Sequence, residues 1–387
     1  MNPSIKIFYW SPFISKIATI KAVLNSAKIL GKFSKNLYNV SIINSIGEFE
    51  DYEEELKDTN VKLINLFKKK IAKYFSDKGF VISRVSFMII SIITFFPLLK
   101  VIKQKKPDFL IIHLLTSLPL ILNYLFNLNT KIILRISGYP KLNRIRLLLW
   151  KILLKKVYAI TCPTEATRSY LISLNLTNKE KFLFLADPIL DTKKINKLKK
   201  EKINDQFGDY FFSAGRLTKQ KNYNFLIKNF SEVIKMHPKF KLLIAGSGEE
   251  EINLNKQIKK YNLEGKVILL GYCKNVYKYM NNSICFILSS LWEDPGFVLV
   301  EAIFCRAPII SSDCPNGPRE ILMNGEGGYL YESNKSENFK EKLFTFLDDI
   351  KNNNKKIILK KKNSLLNIRK YTFLRHYIQF NEILKSI

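Results

Sequence analysis

Two glutamates with seven residues between them, Glu293 and Glu301, stand in the run Ser289-Ser290-Leu291-Trp292-Glu293-Asp294-Pro295-Gly296-Phe297-Val298-Leu299-Val300-Glu301-Ala302. The first falls in a loop after a strand-like stretch and the second on the helix that follows, so they can serve different parts of one ligand. A loop carboxylate beside Gly296 can accept from sugar hydroxyls, and one a turn into the helix can accept from both hydroxyls of a ribose. Gly296, Phe297 and Val298 open that helix, where N–H groups lack intrahelical acceptors and can point at an anion. Upstream, Phe211-Phe212-Ser213-Ala214-Gly215-Arg216-Leu217-Thr218-Lys219-Gln220-Lys221-Asn222 runs a strand into a glycine turn, two separated cations and a helix. Gly215 lets the backbone approach a phosphate, Arg216 can bind two of its oxygens, and Lys221 adds a point charge near the helix start. The alternative for these residues is a solvated basic loop and surface or capping carboxylates.

Such residues need strands to carry them to one edge. Short β-branched or aromatic runs alternate with helix-length segments at 5–9, 40–43, 61–66, 109–112, 131–136, 157–162 and 182–185. A second series places strands at 210–214, 241–245, 267–270, 285–288 and 308–311. Alternation of this kind indicates parallel sheets with crossover helices, whose ligands lie beyond the carboxyl ends of the strands. A length of 387 residues exceeds twice the roughly 150 of a typical domain. The expected division is a Rossmann-like domain at 1–188, a lysine-rich linker at 189–206, a second Rossmann-like domain at 207–370, and a final helical segment at 371–387. The Asn/Lys-rich stretch 351–362 reads as a solvated helix or loop.

With 47% apolar and 13% aromatic residues, the chain has ample material for two cores, which excludes disorder as its main state. The net charge of +30 draws in anions of any kind, and an Asn/Ile-rich composition offers coding bias as a second source of the lysines. Five cysteines without a C-x-x-C pair and three scattered histidines give no zinc spacing and no disulfide framework, so a reduced, cytoplasmic protein without a metal is expected. Residues 1–10 read as a first strand rather than a secretory leader. The longest apolar stretch, 85–99, is shorter than the roughly 20 residues of a bilayer crossing and contains Ser86, Ser91, Thr94 and Pro97, so a spanning helix is not expected.

Gly215-Arg216-Leu217 with Lys221-Asn222, then Leu243-Ile244-Ala245-Gly246-Ser247-Gly248, Gly271-Tyr272, Glu293 through Glu301, and Ser312-Asp313-Cys314-Pro315-Asn316-Gly317-Pro318-Arg319-Glu320-Ile321 together resemble the donor-binding domain of family 4 retaining glycosyltransferases. The resemblance implies the GT-B fold, an α/β architecture of two facing Rossmann-like domains with a C-terminal helix returning to the first. It implies a nucleotide-sugar donor, UDP- in preference to GDP-, with Arg216 and Lys221 on the pyrophosphate and Glu301 on the ribose. Glu293 with the amides of Gly296, Phe297 and Val298 would meet the transferred sugar, and Tyr272, Cys273, Lys274 and Asn275 would lie near the base. It further implies no cofactor and no metal, the donor being a co-substrate. In the first domain, Ser11-Pro12-Phe13 resembles the family's first loop, although Ile14-Ser15-Lys16 stands where adjacent glycines are often found. His113 lies where the family often has a histidine near the reacting sugar and is the second catalytic candidate beside Glu293; a buried strand-end histidine is the other reading. Arg135 could likewise face a ligand or be structural. The implied activity is hexosyl transfer to a saccharide or lipid-linked acceptor in surface polysaccharide synthesis.

Two other classes remain open. A sugar-nucleotide epimerase would share the fold, and a nucleic-acid-binding protein would use the charge, although no zinc finger, RNA-recognition motif or helix-turn-helix pattern is present and no nucleic-acid partner is expected. Residues 84–100, with Lys68, Lys69, Lys70, Lys103, Lys105 and Lys106, form either an ordinary buried helix with solvated flanks or a surface for anionic lipid at the inner face of the cell membrane.

Overall fold

The computed structural model describes residues 4–14, 18–75, 80–140, 142–203 and 207–386. Ser15 and Lys16, where the first loop departs from the family pattern, lie outside them. The chain forms two units, one of Met1–Pro188 with Phe373–Ile387 and one of Ile189–Thr372.

The first unit is built on β1 (Ile5–Trp10), β2 (Tyr38–Asn44), β3 (Val61–Asn65), β4 (Phe109–Ile112), β5 (Lys131–Arg135), β6 (Ala159–Cys162) and β7 (Phe182–Phe184). They make one sheet in the order β3-β2-β1-β4-β5-β6-β7, parallel throughout. Tyr9 stands opposite Ile42 on one side and Ile111 on the other. Helices cover both faces of such a sheet, which is why β4 reads Phe-Leu-Ile-Ile and is buried at every position. The second unit holds β8 (Tyr210–Ala214), β9 (Lys241–Ala245), β10 (Val267–Gly271), β11 (Cys285–Leu288), β12 (Ile309–Ser312) and β13 (Tyr329–Tyr331), in the parallel order β10-β9-β8-β11-β12-β13. All strand expectations correspond to observed strands. Beyond them, β13 is a three-residue edge strand, too short for a periodic pattern to announce it.

Two expectations need correction, and a third resolves to one of its readings. Residues 189–206 are not simply a linker: Ile189 and Leu190 donate to the Tyr371 carbonyl, and Asp191 caps a helix at Thr192–Leu198 that buries Ile195. Its lysines are the exposed face of an element of the second unit. Residues 351–362 take the solvated-helix reading: most of them lie in the helix Asn354–Asn367, whose side chains in this stretch face solvent apart from the buried Ile357. The apolar stretch is longer than read, because a single helix runs from Phe80 to Lys105, and its portion Val81–Lys105 is long and apolar enough to cross a membrane by length and composition. The hydroxyls that argued against it bond back into the helix, Ser91 to the Phe87 carbonyl and Thr94 to the Ile90 carbonyl.

The final helix, Phe373–Lys385, packs in the first unit against the helix Ala18–Phe33. His376 is the fastener. Its Nδ1 lies 2.8 Å from the Ala186 carbonyl, which can only accept, so Nδ1 carries the proton. Nε2 then accepts from Ser26 Oγ at 2.8 Å, and Ser26 Oγ accepts in turn from the Tyr9 hydroxyl at 2.8 Å. Burial lowers the His376 pKa to about 3, with a smaller push from Arg135, against the raising effect of the Ala186 bond. The folded-state value lies below the usual histidine value of 6.5, so on acidification the unfolded chain takes up the proton first. The histidine's contribution to stability is full above about pH 6.5 and is lost between there and about pH 3. The urea midpoint is therefore expected to fall between about pH 7 and about pH 4.5, and His376→Asn, less stable at neutral pH, is expected to show a smaller fall over the same interval. An equal fall in both proteins would remove His376 as its cause.

Candidate functional site

The strand order of the second sheet reverses between β8 and β11, and open α/β sheets leave a crevice at the carboxyl ends of strands at such a point. The loops that follow these two strands carry the residues singled out above. Lys221 reaches Glu293 with Nζ 2.6 Å from Oε1; the glutamate is buried and the lysine side chain is 13% exposed. Ser290 Oγ donates to the same carboxylate oxygen at 2.5 Å. Bonds to main-chain carbonyls lock the loops together: Leu291 N–H to that of Gln220, the Ser289 hydroxyl to that of Lys221, and Glu293 N–H to that of Pro315. Lys221 and Glu293, which the resemblance assigns to separate parts of a ligand, are thus joined in one ion pair.

Close backbone approach sets the rim of the site. A Cβ on Gly246 would run into the carbonyl oxygen of Gly215, and one on Gly317 into that of Pro295. Both glycines are therefore steric requirements of the fold. Arg216 is exposed and has no carboxylate partner among the described residues, so its guanidinium faces solvent beside Gly215. Gly296 has a φ of 95° and caps the helix Phe297–Phe304, and Leu299 N–H returns to its carbonyl. Glu301, one turn in, accepts from the Tyr277 hydroxyl at 2.9 Å. Burial, reinforced by Glu301, raises the Tyr277 pKa, so the phenol stays a donor. Asp313 is held by Arg319 through Nε and Nη2.

The loop after β10 divides by residue. Tyr272 is 81% exposed and Lys274 is exposed, whereas Cys273 is half-buried with its thiol pKa raised by burial. Asn275 is a correction: its amide donates to the Leu198 carbonyl and to Glu201, while its Oδ1 accepts from Tyr277 N–H, so this side chain fastens the loop to the 192–198 helix rather than facing a ligand. Tyr277 and Ser290 were missed as site residues. The run containing Ser290 was singled out but gave no reason to prefer it over Ser289, and Tyr277 lies 24 residues from its partner with no spacing to tie them.

In the first unit, His113 is buried at the end of β4, where its main-chain N–H donates to the Trp10 carbonyl and its ring Nδ1 lies 3.5 Å from Ser137 Oγ. Burial, with Arg135 and His376 nearby, holds it well below the usual histidine range, so the imidazole is neutral at pH 7. It borders a cavity of about 820 Å³ whose lining also includes Arg84, Ser137, Arg146 and Leu149. Arg135 takes its structural reading: the guanidinium is buried, donating to the Leu185 carbonyl at 2.5 Å and to Asp187 at 2.6 Å. Phe13, in the first loop, is buried edge-on against Phe49.

Residues 194–363 match the family model of glycosyl transferases group 1. The chain is 34% identical over 249 residues to an uncharacterized glycosyltransferase of Methanocaldococcus jannaschii, an alignment covering 59% of this chain and 61% of that protein. It is 35% identical over 142 residues to N-acetylgalactosamine-N,N'-diacetylbacillosaminyl-diphospho-undecaprenol 4-alpha-N-acetylgalactosaminyltransferase of Campylobacter jejuni, covering 37% of this chain and 38% of that one. The matched parts are thus less than two thirds of these relatives' lengths. Among solved structures, Anabaena HepE in complex with UDP superposes over 100% of both chains with a TM-score of 0.71 at 15% identity. With its sheets of seven and six parallel strands, the chain has the GT-B fold.

Removing one member of a buried ion pair strands the other charge, at a cost of about 3–5 kcal/mol. Lys221→Met is expected to destabilise the second unit by that order in chemical denaturation. The double variant Lys221→Met with Glu293→Leu should recover most of the loss, because neither charge is then left behind. A double variant no more stable than the single one would show that the pair is not what holds the two loops.

Proposed function

We propose that this chain transfers a sugar from a nucleoside-diphosphate sugar, UDP- in preference to GDP-, to a saccharide or lipid-linked acceptor, with retention of anomeric configuration and without a metal ion. The observation that carries the reading is the convergence of Arg216, the Lys221–Glu293 pair, the Gly296 cap and Glu301 at one strand-order reversal. Arg216 and Lys221 would meet the diphosphate, whose charge grows as the glycosidic bond breaks, and fixed cations at that point stabilise the departing group. Glu301, kept in place by Tyr277, would accept from the ribose hydroxyls. Glu293 would meet hydroxyls of the transferred sugar while holding Lys221 toward the phosphates, and the 297–304 helix N-terminus would add its amides.

Retention would follow from attack on the face the leaving group departs from, with the acceptor hydroxyl giving its proton to the departing phosphate. The protein then has mainly to position and to stabilise charge. His113, neutral at pH 7, would hydrogen-bond a sugar hydroxyl rather than supply a charge. The expected role is in surface polysaccharide synthesis, in keeping with an acceptor that is a growing glycan.

Arg216→Ala is expected to weaken UDP binding about 10- to 150-fold in calorimetry, corresponding to the roughly 1.5–3 kcal/mol of a charge-assisted hydrogen bond, while uridine affinity changes little. Unchanged UDP affinity would place the diphosphate elsewhere. The same titration with GDP decides the base.

The two glutamates separate kinetically. Glu301→Gln should raise the KM for donor with a modest change in kcat, whereas Glu293→Gln should lower kcat at saturating donor. A Glu293→Gln protein with normal kcat and weakened nucleotide binding would reverse the assignment.

A further inference from the structure

The positive charge of this chain is not spread evenly. Residues 59–164 hold nineteen Lys and Arg against two acids, Asp77 and Asp108, so this quarter of the chain supplies +17 of the net +30. No acidic residue stands between Asp108 and Glu165. A coding bias toward lysine would add cations everywhere and would not clear carboxylates from one segment.

The same segment leaves apolar side chains in water on three helices. Along Phe80–Lys105, one stripe (Ser86, Ile90, Thr94, Leu98, Ile102) is buried, and Leu98 and Ile102 belong to the core of the first unit. Away from that stripe, Val85, Met88, Ile89, Ile92 and Phe96 are exposed, Ile92 at 66% and Phe96 at 74%. The neighbouring helix Ser117–Phe126 ends in exposed Tyr124, Leu125 and Phe126, and the Phe126 ring meets that of Phe95. The helix Arg144–Leu153 buries Trp150 and Leu153 and exposes Ile145, Leu148, Leu149 and Ile152. Cations border these side chains: Lys103 Nζ lies over the Phe126 ring and Lys156 Nζ over the Tyr124 ring, with exposed Lys100, Arg144, Arg146 and Lys151 on the same elements.

We propose that the first unit lies on an anionic lipid bilayer through these three helices, with their apolar side chains at the acyl boundary and the lysines and arginines among the head groups. Charge complementarity selects this occupant, since cations on a stretch that carries no acid between Asp108 and Glu165 match a surface of lipid phosphates. The helix Phe80–Lys105 lies in the plane rather than across it, because crossing would pull Leu98 and Ile102 out of the core. Arg84 and Arg146 also line the 820 Å³ cavity beside His113, so docking brings that cavity to the level of the head groups. This deepens the glycosyl-transfer reading by setting the acceptor at the membrane, but its test uses no transfer step.

The test is co-sedimentation of the full chain with vesicles of phosphatidylglycerol and phosphatidylcholine in equal parts, beside vesicles of phosphatidylcholine alone. Binding to the anionic vesicles at low salt, decreasing at high salt, is expected, with little binding to the neutral ones. Each basic residue near an anionic surface raises partitioning roughly fivefold, so replacing Lys100, Lys103 and Lys151 with Gln should weaken binding on the order of 100-fold. Ile92→Ser with Phe96→Ser should weaken it about tenfold or more by removing the apolar part. Both variants must keep the wild-type melting temperature and UDP affinity; a variant that loses them is replaced by the single Lys103→Gln, expected to weaken vesicle binding about fivefold. Loss of vesicle binding with UDP affinity intact would therefore bear on this surface and not on the donor site. The proposal is overturned by equal binding to both vesicle types, by binding indifferent to both sets of substitutions, or by resistance to alkaline carbonate extraction, which would mean a spanning helix. It is equally overturned by a dimer that covers this face and ignores vesicles, or by nucleic acid that binds and displaces the vesicles.

Discussion

A lysine and a glutamate withdrawn from water at the reversal of the second sheet's strand order constrain everything around them. Lys221 and Glu293 come from loops after β8 and β11, which are neighbours in the sheet but far apart in the chain. Two buried charges are tolerable only with close pairing and further hydrogen bonds, here from Ser290, so neither loop can relax without leaving a charge uncompensated. Tight backbone crossings brace each loop from its other side, Gly246 of the loop after β9 against Gly215 and Gly317 of the loop after β12 against Pro295. The pair thereby fixes where Arg216, the Gly296 cap and Glu301 stand, and it keeps a cation and an anion ready side by side.

The first unit uses polarity differently. Two sets of its buried ionisable groups, Arg135 with Asp187 and His376 with Ser26 and Ala186, bond to one another and to carbonyls, and they tie β5, the end of the first chain segment and the returning final helix into one body. Among the described residues, its other cations are for the most part exposed, many of them on or beside helices that are apolar on the side away from the core. A soluble surface usually interleaves carboxylates among such lysines. Their absence over residues 109–164 leaves a surface whose solvent-facing chemistry resembles that of an amphipathic membrane element more than that of an ordinary α/β exterior.

Much of this was legible in the linear text because its causes are local. A parallel strand buried on both faces must be a short apolar run, as β4 and β11 are, and even the half-exposed edge strand β3 keeps β-branched residues; β13, three residues at an edge, carries no such pattern. Glycines at close crossings and a cation or carboxylate just after a strand are likewise sequence-local requirements. Arg216, Lys221, Glu293 and Glu301 could therefore be picked out together, and their carboxyl-end placement follows from strand order alone.

What the sequence by itself determined is thus the architecture, two α/β units with a ligand edge on the second, and the residue types standing at that edge. Only the tertiary structure decided which of those residues touch. The Lys221–Glu293 ion pair, Tyr277 on Glu301, Asn275 bound to the 192–198 helix and Arg135 closed on Asp187 all join residues distant in the chain. The same is true of the 80–105 helix, where composition could not say which apolar side chains enter the core and which stay in water. The physical reason is that periodicity and turn chemistry act over a few residues, whereas burial and pairing depend on which elements the fold brings alongside.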